Sequence, residues 1–343
     1  MKRIKPLWHR IITLENLHLA YRCARKGKQQ RPAVAEFSLN LEQNLVQLLR
    51  ELVNGTYQPG VYRQFTIYER KQRLICAALF RDRVVHHAIM NVLEPEIDKR
   101  FIFDSYACRR GKGVHAAVNR YQGWAQRYAY VLKMDVSQYF PSIYRPILFQ
   151  QLRRMIKDPP LLDLLDIIIF QAPSTQQDDC RGMPIGNLTS QVFANVYLNG
   201  LDHFIKESLK AKGYLRYVDD LVLLADSKAQ LWGWHEQIKM ELKNLSLLAH
   251  PHKSHIMRTA DKVDVFGYQV SRTRRWLRNE NGWRAQRRLA WMSQQYADGL
   301  LEWHDIHPRM MSWIGHAQHG ETQGLREQIF AGYSFKRACP AGR

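Results

Sequence analysis

The sequence predicts an α+β fold in which helices are joined by antiparallel hairpins. Leucines recur at helical spacing through residues 41–52, and Asn54-Gly55 then supplies a left-handed helix stop. In residues 62–75 and 263–270 apolar and polar side chains alternate instead, which is typical of β-hairpins. The chain has 343 residues, more than one hydrophobic core usually serves, so we expect two or three coupled subdomains.

The composition is strongly basic. Lys and Arg total 51 against 31 Asp and Glu, which gives a formal net charge of +20. Because 45% of the residues are hydrophobic and 9 are Trp, this charge belongs to the surface of a folded chain and not to a disordered one. Polyanions are therefore the expected partners, with nucleic acid first among them; a merely basic protein is the alternative.

The cysteine and apolar patterns exclude several classes of protein. Five cysteines are scattered without CxxC pairing, which argues against a disulfide framework and a zinc site and fits a reducing cytosol. No signal-peptide pattern opens the chain, and its longest apolar stretch, residues 161–170, is interrupted by Asp163 and Asp166. We therefore expect a soluble, cytoplasmic protein with no membrane partner.

Residues 14–24 and 80–93 are predicted as helices from their apolar spacing, with the first hairpin between them. Lys71, Gln72 and Arg73 give that hairpin a basic tip. Lys71 and Arg73 would point away from it together, a geometry suited to a triphosphate. Isolated cations of this kind are more often ordinary solvated side chains, so both roles stay open.

A basic loop punctuated by glycines, residues 104–113, is predicted to open a helix near Val114. Loops of this kind approach phosphate backbones closely. Further along, residues 181–191 place two glycines and a proline directly before another predicted helix, through residues 193–201. The chain must pass close to something flat or narrow there, unless the glycines simply make a tight turn.

A buried strand is predicted to run into Asp135, after which the chain turns at Tyr139-Phe140-Pro141. An acid at the end of a buried strand is costly unless it is paired or bound to a metal ion. Asp135 is therefore a candidate metal ligand. Taken alone, a role as helix N-cap explains it equally well.

Two adjacent acids, Asp219 and Asp220, lie between the apolar runs of residues 214–218 and 221–224. This pattern predicts a hairpin with its first strand ending at Val218 and both carboxylates at the tight turn. Adjacent like charges repel unless a cation neutralises them, and Mg²⁺ is the usual occupant of an all-oxygen site. Asp135 is the natural third carboxylate. Because Asp-Asp is also a common turn, the rest of the chain must decide.

The C-terminal part is predicted to begin with a helix over residues 231–245 and to end in a compact helical domain. Residues 272–288 hold seven arginines against one acid, with Trp276 and Trp283 interleaved. Arginine and aromatic side chains together suit phosphate and base contact. Tryptophan in a small helical domain is nevertheless usually part of the core.

Taken in order, these segments resemble the reverse transcriptase family over nearly the whole chain. The resemblance implies a right-hand polymerase fold with a palm built on an antiparallel sheet. It divides the chain into an N-terminal extension and fingers with part of the palm (1–134), a palm with interleaved fingers elements (135–270) and a helical, arginine-rich thumb (271–343). It implies an RNA-directed DNA polymerase whose partners are template RNA, the RNA/cDNA duplex and deoxynucleoside triphosphates.

The resemblance also assigns roles to individual residues around two Mg²⁺ ions. The catalytic and metal-binding residues would be Asp135, Asp219 and Asp220, with the Val136 carbonyl as a further ligand. The nucleotide-binding residues would be Lys71, Arg73, Phe140, Ile185, Gly186 and Lys253, and the primer grip would be Phe266, Gly267 and Tyr268. Phe140 would act as a steric gate against a ribose 2′-hydroxyl, and Lys253 would donate a proton to pyrophosphate.

One departure from the family pattern narrows the resemblance. Many members carry Gln before the motif glycine, and the intron type continues to Ser-Pro, whereas this chain has Ile185-Gly186 and ends the motif in Ser190-Gln191. With the Ala107-Cys108-Arg109 loop and the tail segment 313–318, this variant resembles the reverse transcriptases of diversity-generating retroelements.

That subtype implies errors opposite template adenines, to which Ile185 would contribute, and mutagenic retrohoming of the cDNA into a target gene. It also implies a structured retroelement RNA and a small basic homopentameric accessory protein as partners. Two alternatives stay open: a retron or group II intron-type reverse transcriptase, or an RNA-binding scaffold of the same fold that does not synthesise DNA.

Overall fold

The computed structural model describes residues 3–68, 72–173 and 180–337. The helices are α1 (Trp8–Ile11), α2 (Leu14–Arg25), α3 (Pro32–Leu39), α4 (Leu41–Val53), α5 (Phe80–Asp98), α6 (Val114–Ala125), α7 (Tyr139–Ser142), α8 (Arg145–Met155), α9 (Pro159–Phe170), α10 (Leu188–Tyr197), α11 (Asn199–His203), α12 (Lys228–Asn244), α13 (Asn279–Ala297), α14 (Trp303–Ala317) and α15 (Gln323–Ala331), and a π-helical turn, Phe204–Ser208, follows α11. The strands are β1 (Arg63–Tyr68), β2 (Gln72–Ala77), β3 (Tyr130–Asp135), β4 (Gly213–Tyr217), β5 (Asp220–Ala225), β6 (His255–Arg258), β7 (Val263–Val265), β8 (Tyr268–Val270) and β9 (Arg275–Leu277). The α+β prediction is confirmed.

A four-stranded antiparallel sheet, in the order β4-β5-β3-β6, lies at the centre of the chain. Alternate residues of β5 enter two different hydrophobic clusters: Leu221 and Leu223 join the main core, whereas Val222 and Leu224 join a second one. Both faces of the sheet are therefore buried. This double burial explains why the strands are continuous apolar runs instead of alternating ones.

The main core is organised around α5, which is buried on most of its circumference and packs against α2. The two polar residues buried on α5 are treated differently. Asp82 accepts hydrogen bonds from the Tyr57 hydroxyl at 2.9 Å and the Gly60 amide at 3.0 Å. His86 is 2% exposed, and neither of its ring nitrogens has a hydrogen-bond partner among the described residues.

The first hairpin forms as predicted, with β1 and β2 paired from Arg63 opposite Ala77 to Tyr68 opposite Gln72. Its tip, residues 69–71, lies outside the described residues. The prediction that Lys71 binds a triphosphate therefore concerns a residue outside the described ones. Arg73 is described and exposed.

The basic loop at residues 104–113 opens α6 as predicted, but one of its cations serves the fold. The Arg109 guanidinium pairs with Asp98 and also donates to the carbonyls of Ile102 and Ser105 at 2.8 Å. With only 7% of its side chain exposed, Arg109 is committed to these contacts and does not face a phosphate backbone. Arg110 stays exposed.

The C-terminal part consists of the three-stranded sheet β7-β8-β9 and helices α13 to α15, which enclose a small third cluster around Leu289, Met292 and Ile306. The expectation that tryptophans belong to such a core is wrong for three of them. Trp283 and Trp291 on α13 are 64% and 50% exposed, and Trp303 at the start of α14 is 47% exposed.

The arginine-rich stretch at residues 272–288 divides into structural and exposed members. Arg272 donates to the Thr259 hydroxyl at 3.0 Å, Arg275 donates to Asn119 and Gln122 at 2.8 Å, and Arg278 donates to Asp264 at 2.7 Å. Arg272 and Arg275 thus tie the C-terminal part to neighbouring elements, whereas Arg278 joins the start of α13 to β7 within that part. Arg287 and Arg288, further along α13, are exposed.

Among the described residues, no helix combines the length and the apolar character that crossing a bilayer requires.

The unpaired His86 predicts an acid-sensitive core. Burial, followed by the charges of His87 and Arg83, lowers the pKa of His86 to about 3. Because the unfolded chain binds this proton near pH 6.5 and the folded chain does not, stability falls as the pH drops below 6.5, by about 1.4 kcal/mol per pH unit. We expect His86→Leu to remove this contribution, so that wild type loses about 2 kcal/mol more than the variant between pH 6.5 and pH 5 in urea unfolding.

The exposed residue His304 provides a matched control, since 80% of its side chain is in solvent. His304→Leu tests whether loss of any histidine, buried or not, has the same effect. Equal pH dependence of unfolding in wild type and His86→Leu would contradict the prediction.

Candidate active site

The register of the central sheet brings the predicted carboxylates to one edge. Asp135, the last residue of β3, lies directly opposite Asp220, the first residue of β5. Tyr217 pairs with Asp220 across the hairpin, so the turn consists of Val218 and Asp219 alone. The predicted hairpin is confirmed with one correction: the first strand ends at Tyr217, and Asp220 belongs to the second strand and not to the turn.

The turn is conformationally strained. Val218 has φ of +56°, a conformation that is rare for a β-branched residue. Such strain persists only where the surrounding structure fixes it, and it is concentrated at functional sites. The turn is also tied to the end of β3, because the Val136 amide donates to the Asp219 carbonyl at 3.3 Å.

The carboxylates of the site oppose one another electrostatically. Burial and then the neighbouring charge of Asp135 raise the pKa of Asp219. Burial and then the charge of Asp219 raise the pKa of Asp220 to about 6, with Asp135 adding to the effect. Burial therefore disfavours the charged carboxylates, their mutual repulsion adds to this effect, and a bound cation would relieve both.

The donor set suits a hard divalent cation, since carboxylate and carbonyl oxygens are the ligands that Mg²⁺ prefers. The described residues nevertheless contain no group of three or more His, Cys, Asp or Glu arranged closely enough to hold a metal ion as it stands. The oxygen donors of the site are therefore of the type that binds Mg²⁺, but the acidic side chains do not already form a complete metal-binding group.

Lys253 supplies positive charge to this edge of the sheet. Its ammonium group pairs with the Asp135 carboxylate. The segment that carries it runs beside the end of β3, where the His250 amide donates to the Asp135 carbonyl at 2.7 Å and the Ser137 amide donates to the Leu248 carbonyl at 2.8 Å. The positive charges of Lys253 and Arg73 both oppose the upward shift in the pKa of Asp219.

The glycine-containing loop before α10 passes along the first hairpin. The Cys76 amide of β2 donates to the Ile185 carbonyl at 3.1 Å, and the Ala78 amide donates to the Asn187 side chain at 3.4 Å. Gly186 has φ of +118°, and a Cβ added there would lie 3.1 Å from a methyl group of Ile75. The narrow passage predicted from the glycines is confirmed, and its wall is β2.

Phe140 connects this loop to the carboxylates. It lies in α7, five residues after Asp135, and its carbonyl accepts a hydrogen bond from the Met183 amide at 2.9 Å. Its half-buried ring packs beside Tyr139, with 5.7 Å between ring centroids. Phe140 therefore links the end of β3 to the loop.

The predicted primer grip divides in two. Phe266 and Gly267 form the turn between β7 and β8, with φ of +49° and +96°, and the Phe266 ring lies 5.5 Å from the Tyr217 ring. Tyr268 is buried instead, and its hydroxyl donates to the His316 carbonyl at 2.9 Å. Phe266 and Gly267 thus lie beside the catalytic hairpin, whereas Tyr268 holds α14 against the sheet.

Sequence reasoning missed two sets of residues around the site. The first is a buried pair behind the hairpin, Arg216 and Asp202, of which the only sequence signal was a cation within an apolar strand. The second is a histidine cluster next to Tyr268, in which His115 stacks on His319 at 3.4 Å between ring centroids. No local pattern could have found it, since its members lie on α6 and beyond α14.

Comparison with known proteins agrees with this geometry. A family model described as "Reverse transcriptase (RNA-dependent DNA polymerase)" matches residues 64–270. Protein YkfC of Escherichia coli strain K12 is 27% identical over 279 residues, which cover 67% of this chain and 72% of YkfC. The group II intron-encoded protein LtrA of Lactococcus lactis is 24% identical over 177 residues, which cover 50% of this chain and only 29% of LtrA.

Among solved structures, telomerase from Candida albicans in complex with a fragment of telomeric RNA has a similar fold. The TM-score is 0.50 at 12% sequence identity, and the match covers 75% of this chain and 56% of the telomerase chain. This likeness concerns the fold alone. With the family match, it confirms the predicted right-hand polymerase fold.

Gly186 generates a stability prediction, with Gly113 as its matched control. Both residues have φ close to +119°, but a Cβ at Gly113 would meet nothing within 4 Å. We expect either Gly→Ala change to cost about 1–3 kcal/mol through backbone strain. Only Gly186→Ala should also push Ile75 away and speed amide hydrogen exchange at Cys76. Slow exchange at Cys76 in both variants would show that the loop does not depend on this close approach.

Proposed function

The chain belongs to the reverse transcriptase family, and we propose that it synthesises cDNA on an RNA template, using deoxynucleoside triphosphates, at the edge of the central sheet. The observation that carries this proposal is the placement of Asp135 opposite Asp220, with Asp219 in the strained turn beside them. Carboxylates at one edge of a sheet can bind the metal ions that two-metal phosphoryl transfer requires.

Asp135, Asp219, Asp220 and the carbonyl of Val136 would hold two Mg²⁺ ions, which when bound activate the primer 3′-hydroxyl and stabilise the departing pyrophosphate. The protein's own residues complete the site. Lys253, whose ammonium group pairs with Asp135, would donate a proton to pyrophosphate. Arg73 would neutralise the triphosphate together with Lys71.

Positioning of the substrates falls to the elements around the carboxylates. Phe140, between β3 and the loop, would exclude a ribose 2′-hydroxyl from the nucleotide site. Phe266 and Gly267, next to Tyr217, would support the primer terminus. On α13, the exposed Trp283 and Trp291 flank the exposed Arg287, an arrangement that suits contact with the template–primer duplex.

Primer extension on an RNA template tests the proposal. We expect Asp219→Asn to lower the extension rate by at least about a hundredfold, because it removes one of the charges that the metal ions need. Asp226→Asn is a matched control, since Asp226 follows the far end of β5 and its side chain accepts a hydrogen bond from the Ala129 amide at 2.9 Å. It should retain near wild-type activity.

A parallel binding assay separates the proposal from the scaffold alternative. Wild-type protein that binds the RNA/DNA duplex but extends no primer would establish a non-synthesising scaffold and contradict the proposal. Equal extension by wild type and Asp219→Asn would contradict the assignment of the carboxylates.

Within the family, we propose that the chain serves a diversity-generating retroelement and copies template adenines with frequent errors. The support is Ile185 and the Ser190-Gln191 ending of its motif. The Ile185 carbonyl accepts a hydrogen bond from β2, and its half-buried apolar side chain occupies the motif position at which many members carry Gln. Under this proposal its partners are a structured retroelement RNA and a small basic homopentameric protein. The curated relative LtrA, an intron-encoded protein, supports the intron-type alternative in turn.

Sequencing of the cDNA tests the subtype. We expect wild type to misincorporate opposite template adenine several-fold more often than opposite the other bases, and Ile185→Gln to reduce that excess. The control Ile185→Val keeps an apolar side chain and should keep the excess. Uniform error rates in wild type, or adenine errors unchanged in Ile185→Gln, would favour the retron or intron-type alternative.

A further inference from the structure

A buried arginine lies directly behind the catalytic turn. Arg216, the fourth residue of β4, has a side chain that is 0% exposed, and so does its partner Asp202 on α11. Burying both charges is costly even when they are paired, and well-packed apolar residues would often be equally stable in their place. Stability alone therefore does not explain why this buried ion pair is present.

The contacts of the guanidinium suggest that reason. One side of its fork holds Asp202: Nε lies 2.8 Å from Oδ1 and Nη2 lies 2.7 Å from Oδ2. The remaining nitrogen, Nη1, donates to the carbonyl of Val218 at 2.9 Å. Asp202 thus fixes the plane of the guanidinium, and the guanidinium in turn holds the backbone of the strained turn residue.

The same group reaches the helix that follows the nucleotide loop. Nη1 also donates to the Asn195 side chain at 3.1 Å, and the Asn195 amide group donates to the Ala107 carbonyl at 2.8 Å. Asn195 lies on α10, which begins at Leu188, directly after that loop. Arg216 therefore connects the turn that contains Asp219 to α10, the helix that follows the nucleotide loop.

We propose that Arg216 is a positioning residue for the catalytic turn, which holds Val218 in its left-handed conformation and so places the Asp219 carboxylate. This inference rests on the proposed polymerase function. Arg216 touches no reacting atom, since it acts through the Val218 carbonyl. A lysine cannot replace it, because a single ammonium group lacks the planar fork that bonds Asp202 and the turn at once.

The competing explanation is that Arg216 only stabilises the fold. Both explanations predict a loss of stability when Arg216 is changed, so stability does not separate them. Only a role in positioning the catalytic turn predicts that nucleotide addition slows while the affinity for the duplex stays unchanged. The same role predicts faster hydrogen exchange in the turn.

The experiment compares Arg216→Lys with Tyr214→Phe in the full chain. Tyr214 donates to the same Asp202 at 2.7 Å but does not contact the turn, so Tyr214→Phe disturbs the buried pair and leaves the Val218 bond in place. Three quantities are measured: the single-turnover rate of nucleotide addition, the Kd for an RNA/DNA template–primer, and hydrogen exchange of a peptide spanning residues 214–224.

We expect Arg216→Lys to lower the single-turnover rate by about tenfold or more, with Kd unchanged and faster exchange in the turn. Tyr214→Phe should stay within about twofold of wild type in all three quantities. A rate and a turn exchange in Arg216→Lys equal to those of Tyr214→Phe would overturn the inference.

A second variant covers the case in which Arg216→Lys does not fold. Arg216→Met combined with Asp202→Leu removes both charges together and so leaves no unpaired charge in the core. If this variant unfolds at or above the wild-type temperature but adds nucleotides about tenfold more slowly, positioning is supported. A stable double variant with wild-type rate would overturn it.

Failure of the proposed function is distinguishable from failure of the inference. If wild-type protein adds no nucleotide, the polymerase proposal falls. Hydrogen exchange of the turn in the two variants still decides whether Arg216 holds Val218.

Discussion

The antiparallel register of β3 and β5 is the constraint on which the site depends. It places Asp135 opposite Asp220 and leaves a two-residue turn for Val218 and Asp219. Because β5 is buried on both faces, a slip of one residue would exchange the side chains that enter the two hydrophobic clusters. Packing of the sheet therefore fixes which residue lies opposite Asp135, and the composition of the site follows from the core.

That register holds negatively charged carboxylates near one another, and positively charged side chains nearby partly offset their repulsion. Burial and then the neighbouring carboxylates raise the pKa values of Asp219 and Asp220, while Lys253 opposes both shifts and Arg73 opposes that of Asp219. These cations reduce the repulsion between the carboxylates. Among the described residues, the acidic side chains are not grouped closely enough to hold a metal ion by themselves. Such a site favours ligands that bring positive charge with them, as a nucleotide with its metal ions does.

Sequence patterns predicted the local features of this site and missed those that depend on tertiary contacts. The hairpin of β4 and β5 and the tight passage at Gly186 follow from nearby residues, and both are present. The pairing of Arg216 with Asp202 could not be predicted, because nothing in an apolar strand indicates which distant acid an arginine meets. Composition likewise could not separate Arg275, which is bonded to α6, from the exposed arginines of α13.

Anomalous scattering from Mn²⁺ would test the central claim that the edge of β3 and β5 is a polymerase active site. The crystals would contain the protein with an RNA template, a DNA primer ending in a dideoxynucleotide and the next deoxynucleoside triphosphate. The claim predicts an anomalous peak between the carboxylates of Asp135 and Asp219, next to the triphosphate. A bound primer terminus and nucleotide with no peak at these carboxylates would contradict it.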